Sequence, residues 1–175
     1  LTLMSVFWDE GRIDLEDFAR QSRIPSEVGP TAYNNFHQPD PDHLLRVAIG
    51  LGFRRARLHY VYNILRGKDL ETGKFSDERR NSQFAILKEA QASVLDVQNW
   101  QDFFKSLLAS GYRRSDMISS KTGLVYAYGF YLIGKRDYGI KEFELRNVIA
   151  RWFFMTALTA RYSSSPESVM EQDLN

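Results

Sequence analysis

The spacing of the apolar residues constrains the fold most, because it is helical over long stretches and almost never alternates from one residue to the next. The strongest segment spans residues 141–162, where four side chains share one face: Leu145, Val148, Ile149 and Trp152. No Asn-Gly or Asp-Gly pair marks a hairpin turn. The sequence therefore predicts an all-α fold, a single irregular or orthogonal bundle of about seven or eight helices over residues 1–175.

Capping and breaking residues place several helix boundaries. Ser76 is predicted to cap a helix that runs to about Leu95, and Gly111 is predicted to close the next helix. Ser165 followed by Pro166 is typical of a helix start, which places a last helix near the end of the sequence.

Prolines and glycines predict interruptions in the first third of the chain. Residues 24–42 hold four of the five prolines, which favours a long loop inside the domain. Gly50 and Gly52 are predicted to separate a helix over 44–49 from another over 53–65.

The helix over 141–162 is predicted to be buried and central, because nearly every direction around it is apolar from Trp152 to Leu158. Two arginines on it, Arg151 and Arg161, lie about 280° apart around the axis and cannot form one patch. A buried arginine needs an acceptor, and we expect it from a last helix that folds back with Glu167, Glu171 and Asp173.

Composition excludes several kinds of site. The chain has no cysteine, so disulfides, thiolate zinc sites, iron–sulfur clusters and cysteine nucleophiles are excluded. A reducing, cytoplasmic location is the expectation. The uncharged stretch over 123–134 would span only about 18 Å as a helix, so no membrane association is predicted. The apolar start, without a basic region or an initial Met, is interpreted as the cut end of an excised fragment of a longer protein.

Two segments approach known chemical motifs without completing them. Residues 129–135 nearly spell a phosphate-binding loop, but Arg136 stands where a hydroxyl is required, so the segment is interpreted as a glycine-punctuated helix end. His37, Asp40, Asp42 and His43 cluster near prolines, and Asp42 is interpreted as a helix cap rather than a metal ligand. The sequence predicts no catalytic residue, no metal and no cofactor.

One basic block is the candidate nucleic-acid contact. Residues 46–66 contain five arginines and no acidic residue. Four of these are the candidate nucleic-acid-binding residues: Arg46, Arg54, Arg55 and Arg57. The alternative is that these arginines form ion pairs with the acidic first 45 residues, which hold eight Asp and Glu against three arginines.

A resemblance to a known family comes from the last quarter of the chain. Residues 150–174 read ARWFFMTALTARYSSSPESVMEQDL, which resembles the pattern R-W-F…L…R-Y-S/T-x-S-x-E…D-L of GmrSD-type restriction proteins, in their N-terminal, GmrS-like domain of unknown function. The residues that match the signature are Arg151, Trp152, Arg161, Tyr162, Ser163 and Ser165. The stretches LTLMSVFWDEGR and ISSKTGLVYAYGFYLIGKRDYG are also similar to the bacterial subgroup.

The resemblance implies an architecture rather than an activity. In such proteins a nucleotide-handling region with a D-G-Q-Q-R motif lies upstream and an HNH-type nuclease lies downstream, and this sequence contains neither. It therefore implies a non-catalytic helical middle region of a nucleotide-dependent DNA restriction or phage-defence protein. Its partners would be those flanking parts of the same chain, and DNA. The alternative hypothesis is a helical protein–protein interaction module. It is favoured if the arginines of 46–66 are buried in pairs, whereas the first hypothesis is favoured if they face solvent together.

Overall fold

A computed structural model describes residues 1–22, 37–69, 71–118 and 120–175 of the chain. In these residues the secondary structure is helical, and the only β-type pairing is an isolated bridge between Lys68 and Phe75. The α-helices are α1 Thr2–Phe7, α2 Asp9–Gln21, α3 Pro41–Phe53, α4 Leu58–Leu65, α5 Asp77–Val94, α6 Val97–Ala109, α7 Lys121–Arg136, α8 Glu142–Leu158 and α9 Pro166–Asp173. The all-α bundle is confirmed.

Two inner helices organise the bundle. Helix α3 packs against α2, α5 and α7, and α7 packs against α3, α6 and α8. Their buried side chains form one core with those of the surrounding helices. None of the helices in the described part of the chain has the length and apolarity that a membrane crossing requires.

An aromatic cluster fills the centre of the core. The Tyr128 ring lies 4.8 Å from the Trp100 ring and 5.1 Å from the Phe103 ring, measured between centroids. The Tyr128 hydroxyl donates a hydrogen bond of 2.8 Å to the carbonyl oxygen of Val94 at the end of α5. This buried bond satisfies both groups and ties α7 to α5.

Most helix boundaries that rest on capping chemistry are confirmed. Ser76 precedes α5, and its Oγ accepts a bond of 3.4 Å from the backbone amide of Arg79. Gly111 follows α6 with a φ of 91°, and Pro166 is the first residue of α9. These boundaries were predictable because local hydrogen bonding and backbone geometry determine them.

The predicted interruption at Gly50 and Gly52 is wrong, because α3 continues through both glycines to Phe53. A Cβ at position 52 would lie 3.3 Å from the Cβ of Ala90, so glycine there allows α3 and α5 to approach closely. The helix ends instead at Arg54, which has a left-handed φ of 55°. Helix α4 consequently begins at Leu58 rather than at residue 53.

The Pro-rich segment lies mostly outside the described residues. Residues 37–40 are non-helical, and α3 begins at Pro41 with Asp40 as its N-cap residue. The prediction that Asp42 caps the helix is therefore wrong by two positions. Pro41 explains the shift, since proline is well suited to the first helical position.

The predicted central position of the helix over 141–162 is also wrong. Helix α8 ends at Leu158 and lies on the outside of the bundle, and the helix that is buried on nearly all sides is α7. Val148, which was expected in the core, is 55% exposed, whereas Trp152 is half-buried against the core. The number of apolar residues did not reveal which side of α8 the bundle covers.

Candidate interaction surface

The predicted basic block is brought together with acidic residues from the end of the chain. Arg46 on α3 donates to Glu167 on α9 at 2.6 Å, and Arg55 donates to Glu171 at 2.7 Å. Arg54 pairs with Asp137, just after α7. Three of the four candidate arginines therefore have a carboxylate partner.

Glu171 is the centre of this arrangement, because it also binds the backbone between α3 and α4. One carboxylate oxygen accepts bonds from the amides of Ala56 at 2.6 Å and Arg57 at 3.1 Å. Burial alone raises the pKa of the Glu171 carboxyl. The bonds from the Ala56 amide, the Arg55 guanidinium and the Arg57 amide outweigh burial and lower this pKa below its usual value. Glu171 therefore stays ionised and fastens α9 to the 54–57 segment.

Arg57 differs from its neighbours because its guanidinium donates to a neutral group, the Ser168 hydroxyl, at 3.2 Å. Arg55, Arg57 and Glu171 line the same open groove. A phosphate that approached the two arginines would meet the Glu171 carboxylate beside them, and like charges at that range repel.

Among the described residues of the first 45, no acidic side chain forms an ion pair with the basic block, which corrects that part of the alternative prediction. Asp9 and Glu16 pair with Arg12, and Asp17 pairs with Arg20, all within α2. These i,i+3 and i,i+4 pairs form because α2 places the charges on adjacent turns of its own surface. The carboxylates that reach the basic block come instead from α9 and from the end of α7.

Two signature residues hold the end of α8 to α9. Arg161 and Tyr162 both donate to the carboxylate of Asp173, the Tyr162 hydroxyl at 2.5 Å. Burial and the bond to Asp173 raise the pKa of Tyr162. Burial raises the pKa of Asp173, but the bonds from Arg161 and Tyr162 lower it by more, so the net pKa is below its usual value. The expectation that the last helix folds back to supply an acceptor is confirmed for Arg161, but the expected burial of Arg161 and Arg151 is wrong, because both are exposed.

The remaining signature residues are divided between packing and solvent. The Trp152 ring lies 5.1 Å from that of Phe130 and 5.8 Å from that of Tyr162. Ser165 has a left-handed φ of 47° immediately before α9. Ser163 is exposed beside a cavity of about 310 Å³ next to Tyr162. Arg151 is exposed on the outside of α8.

The segments that approached chemical motifs have structural positions. Residues 129–135 lie inside α7, where a Cβ at position 134 would lie 2.6 Å from a methyl group of Leu145, so Gly134 permits the close crossing with α8. The rings of His37 and His43 lie 5.7 Å apart, and burial lowers the pKa of His37 to about 4. Among the described residues, no group of three or more histidines and carboxylates is arranged to hold a metal ion.

Both faces of α8 carry apolar side chains, although the bundle covers only one of them. The inner face, with Leu145, Ile149 and Phe153, packs against α6 and α7. The opposite side exposes five apolar side chains: Phe143 (72%), Val148 (55%), Phe154 (49%), Met155 (51%) and Leu158 (69%). We call these residues, with Glu144 and Arg151 between them, the α8 stripe. Exposed apolar surface of this kind is typical of protein–protein interaction sites.

The sequence contained a signal for the α8 stripe, although the signal was misinterpreted. An amphipathic helix normally has a polar face opposite its apolar one, whereas this helix is apolar on both sides. That pattern predicts either a central helix or a peripheral helix with a second partner, and sequence alone did not separate the two.

Comparison with known proteins identifies no relative. No family model matches the chain, and no curated protein or solved structure matches it either. The resemblance to GmrSD-type proteins therefore stays a prediction.

Proposed function

We propose that this chain is a non-catalytic helical module that binds another protein surface. The observation that carries the proposal is the α8 stripe, on a helix whose other face already belongs to the core. Each Å² of apolar surface left in water costs about 25 cal/mol, and soluble proteins rarely leave such a face uncovered without a use. A partner that covers the stripe accounts for its composition.

The pairing of the basic block supports a protein partner over direct contact with DNA. Arg46, Arg54 and Arg55 already have carboxylate acceptors, and phosphates would have to replace them. Nucleic-acid affinity depends on the number of cations that are available to neutralise phosphates, and these pairs reduce that number.

The cellular setting that we propose is the helical part of a GmrSD-like restriction or phage-defence protein. The resemblance of residues 150–174 is its support, together with the way Arg161 and Tyr162 join α8 to α9 through Asp173. In that setting the module couples a nucleotide-handling part to a nuclease part. The sequence of the full parent chain tests this, because a D-G-Q-Q-R motif upstream is expected and its absence would contradict the setting.

Photo-crosslinking tests the binding function. A crosslinking amino acid replaces Phe154 in the α8 stripe or, as a matched control, Phe75, whose side chain is equally exposed. We expect a discrete crosslinked protein from position 154 alone, and we expect it to disappear when Val148→Glu and Met155→Glu are added. Equal products from both positions, or none from position 154, would contradict the proposal.

DNA binding is the contrasting outcome. We expect no association with duplex or single-stranded DNA in fluorescence anisotropy at low salt and tens of micromolar protein, about the middle of the non-specific range. If DNA does bind, and the logarithm of the association constant falls with the logarithm of the salt concentration with a slope of about −3 to −4, nucleic-acid contact is favoured instead. In that case, replacing Arg54, Arg55 and Arg57 by alanine would flatten the slope.

A further inference from the structure

The α8 stripe carries two opposite charges in a self-complementary arrangement. Glu144 and Arg151 are seven residues apart, which places them about 20° apart around the helix axis. Both side chains are exposed, and neither forms an ion pair with another described residue. Val148 lies between them on the same side of the helix. Met155 and Leu158 follow on that side, one and two turns after Arg151.

We propose that α8 pairs antiparallel with α8 of a second copy of this chain, with Glu144 of each copy beside Arg151 of the other. The inference rests on the proposed function, because it names the protein that covers the first part of the α8 stripe, from Phe143 to Arg151. A two-fold axis relates the copies, so the ion pair forms twice and the same surface serves on both sides.

Charge selects the direction of the pair. A parallel pair in register would place Glu144 against Glu144 and Arg151 against Arg151, and like charges across an interface are unfavourable. The antiparallel pair replaces both repulsions with attractions and keeps Val148 of each copy between them. The spacing along the line, 144, 148, 151, 155 and 158, alternates steps of four and three, which is the spacing of a two-helix seam.

The register follows from the charge pairing. The two-fold axis passes between positions 147 and 148, so the Val148 side chains of the two copies meet near the centre. Residues 154–158 of each copy extend beyond the first residue of the other copy's α8. The helical overlap spans residues 142–153 of each copy, about 18 Å at 1.5 Å per residue. An interface of this size is small, so we expect weak association that depends on concentration.

Charge-reversal variants test the proposal by sedimentation velocity at protein concentrations from about 10 µM to about 500 µM, the range that suits a small interface. Wild type is expected to form a reversible dimer. Glu144→Arg alone and Arg151→Glu alone each create two like-charge contacts and should weaken the dimer roughly tenfold or more. An equimolar mixture of the two variants should restore it. In the mixed dimer the introduced arginine of one variant faces the introduced glutamate of the other, and the unchanged Arg151 faces the unchanged Glu144, so both contacts are again attractive.

Matched controls separate a specific contact from a general effect of charge. Glu89→Arg on α5 and Arg113→Glu after α6 make the same charge changes at exposed positions elsewhere and should leave the dimer unchanged. Circular dichroism confirms that each variant folds. Glu144→Gln keeps the side-chain shape and should weaken the dimer less than Glu144→Arg. It replaces Glu144→Arg in the experiment if that variant does not fold.

Each outcome decides the inference. A wild type that stays monomeric throughout, or a dimer that the variant mixture does not restore, overturns it. If the monomeric chain still crosslinks from position 154 to a different protein, the self-pairing fails while the proposed binding function stands. If position 154 forms no discrete crosslink at all, both fail.

Discussion

Helices α7 and α8 are nearly equal in length and both are rich in apolar residues, yet they are used differently. Helix α7 buries eleven of its 16 residues, whereas α8 buries five of its 17. The difference comes from their neighbours, because α7 lies among α3, α6 and α8, and α8 packs on one side only, against α6 and α7.

The apolar content of a helix indicates that its surface is favourable to bury, but it does not specify which surface covers it. In α7 the chain's own helices supply that surface. In α8 they cover the side with Leu145, Ile149 and Phe153 and leave the α8 stripe exposed.

The largest effect is expected inside α7. Tyr128→Ala should lower the free energy of unfolding by about 3–5 kcal/mol, because it empties a fully buried ring position and deletes the bond to the Val94 carbonyl. Urea denaturation monitored by circular dichroism measures the change. A loss below about 1 kcal/mol would mean that α7 is not the centre of the core.

The buried side of α7 should also show in the pH dependence of stability. His37 lies in the small space lined by Val125 and Tyr128 of α7, and burial lowers its pKa from 6.5 to about 4. As the pH falls, the unfolded chain takes up the proton first, so stability is full above about pH 6.5 and is lost as the pH falls towards about 4. The loss should reach about 3 kcal/mol.

Denaturation of wild type and His37→Gln at about pH 7 and about pH 4.5 measures this contribution. Both proteins contain the same carboxylates, so the difference between their losses of stability comes from His37. His43, whose pKa burial also lowers, remains in the variant and retains part of the dependence. An unchanged pH dependence in His37→Gln would show that the histidine is hydrated in the folded protein.

The α9 contact should have an intermediate effect. Glu171→Ala removes the acceptor for the amides of Ala56 and Arg57 and the partner of Arg55, and should cost about 1–3 kcal/mol. Glu167→Ala, which removes the more exposed pair with Arg46, should cost about 0–1 kcal/mol. Thermal and urea unfolding measure both losses. If the two variants lose the same stability, Glu171 contributes only a surface ion pair.

The smallest effect on stability is expected in the α8 stripe. Val148→Ala should change the free energy of unfolding by less than about 0.5 kcal/mol, because the side chain is exposed in the monomer. The adjacent Ile149→Ala, on the covered side, should cost about 2–4 kcal/mol. The measurement must be made at low protein concentration, since association through the stripe would add to the apparent stability. If the two variants lose a similar free energy of unfolding, the two sides of α8 do not differ in burial.

Local signals predicted the parts of the fold that depend on a few neighbouring residues. Ser76, Gly111 and Pro166 marked helix boundaries because their hydrogen bonds and backbone angles act within one turn. Gly50 and Gly52 were misinterpreted as breaks, whereas α3 continues through both and Gly52 lets α5 approach closely. Sequence does not show which helices cross. The partners of the basic block were misassigned for the same reason, since nearness of opposite charges in three dimensions is not nearness along the chain.

The helical class and most helix ends follow from the sequence alone, because helical periodicity and capping act on short segments. Packing between the helices decides that α7 is central, that α9 and Asp137 supply carboxylates to three arginines of the basic block and that one face of α8 remains open. Those outcomes depend on which surfaces meet after the chain folds, and several arrangements bury the same apolar residues equally well until packing selects among them.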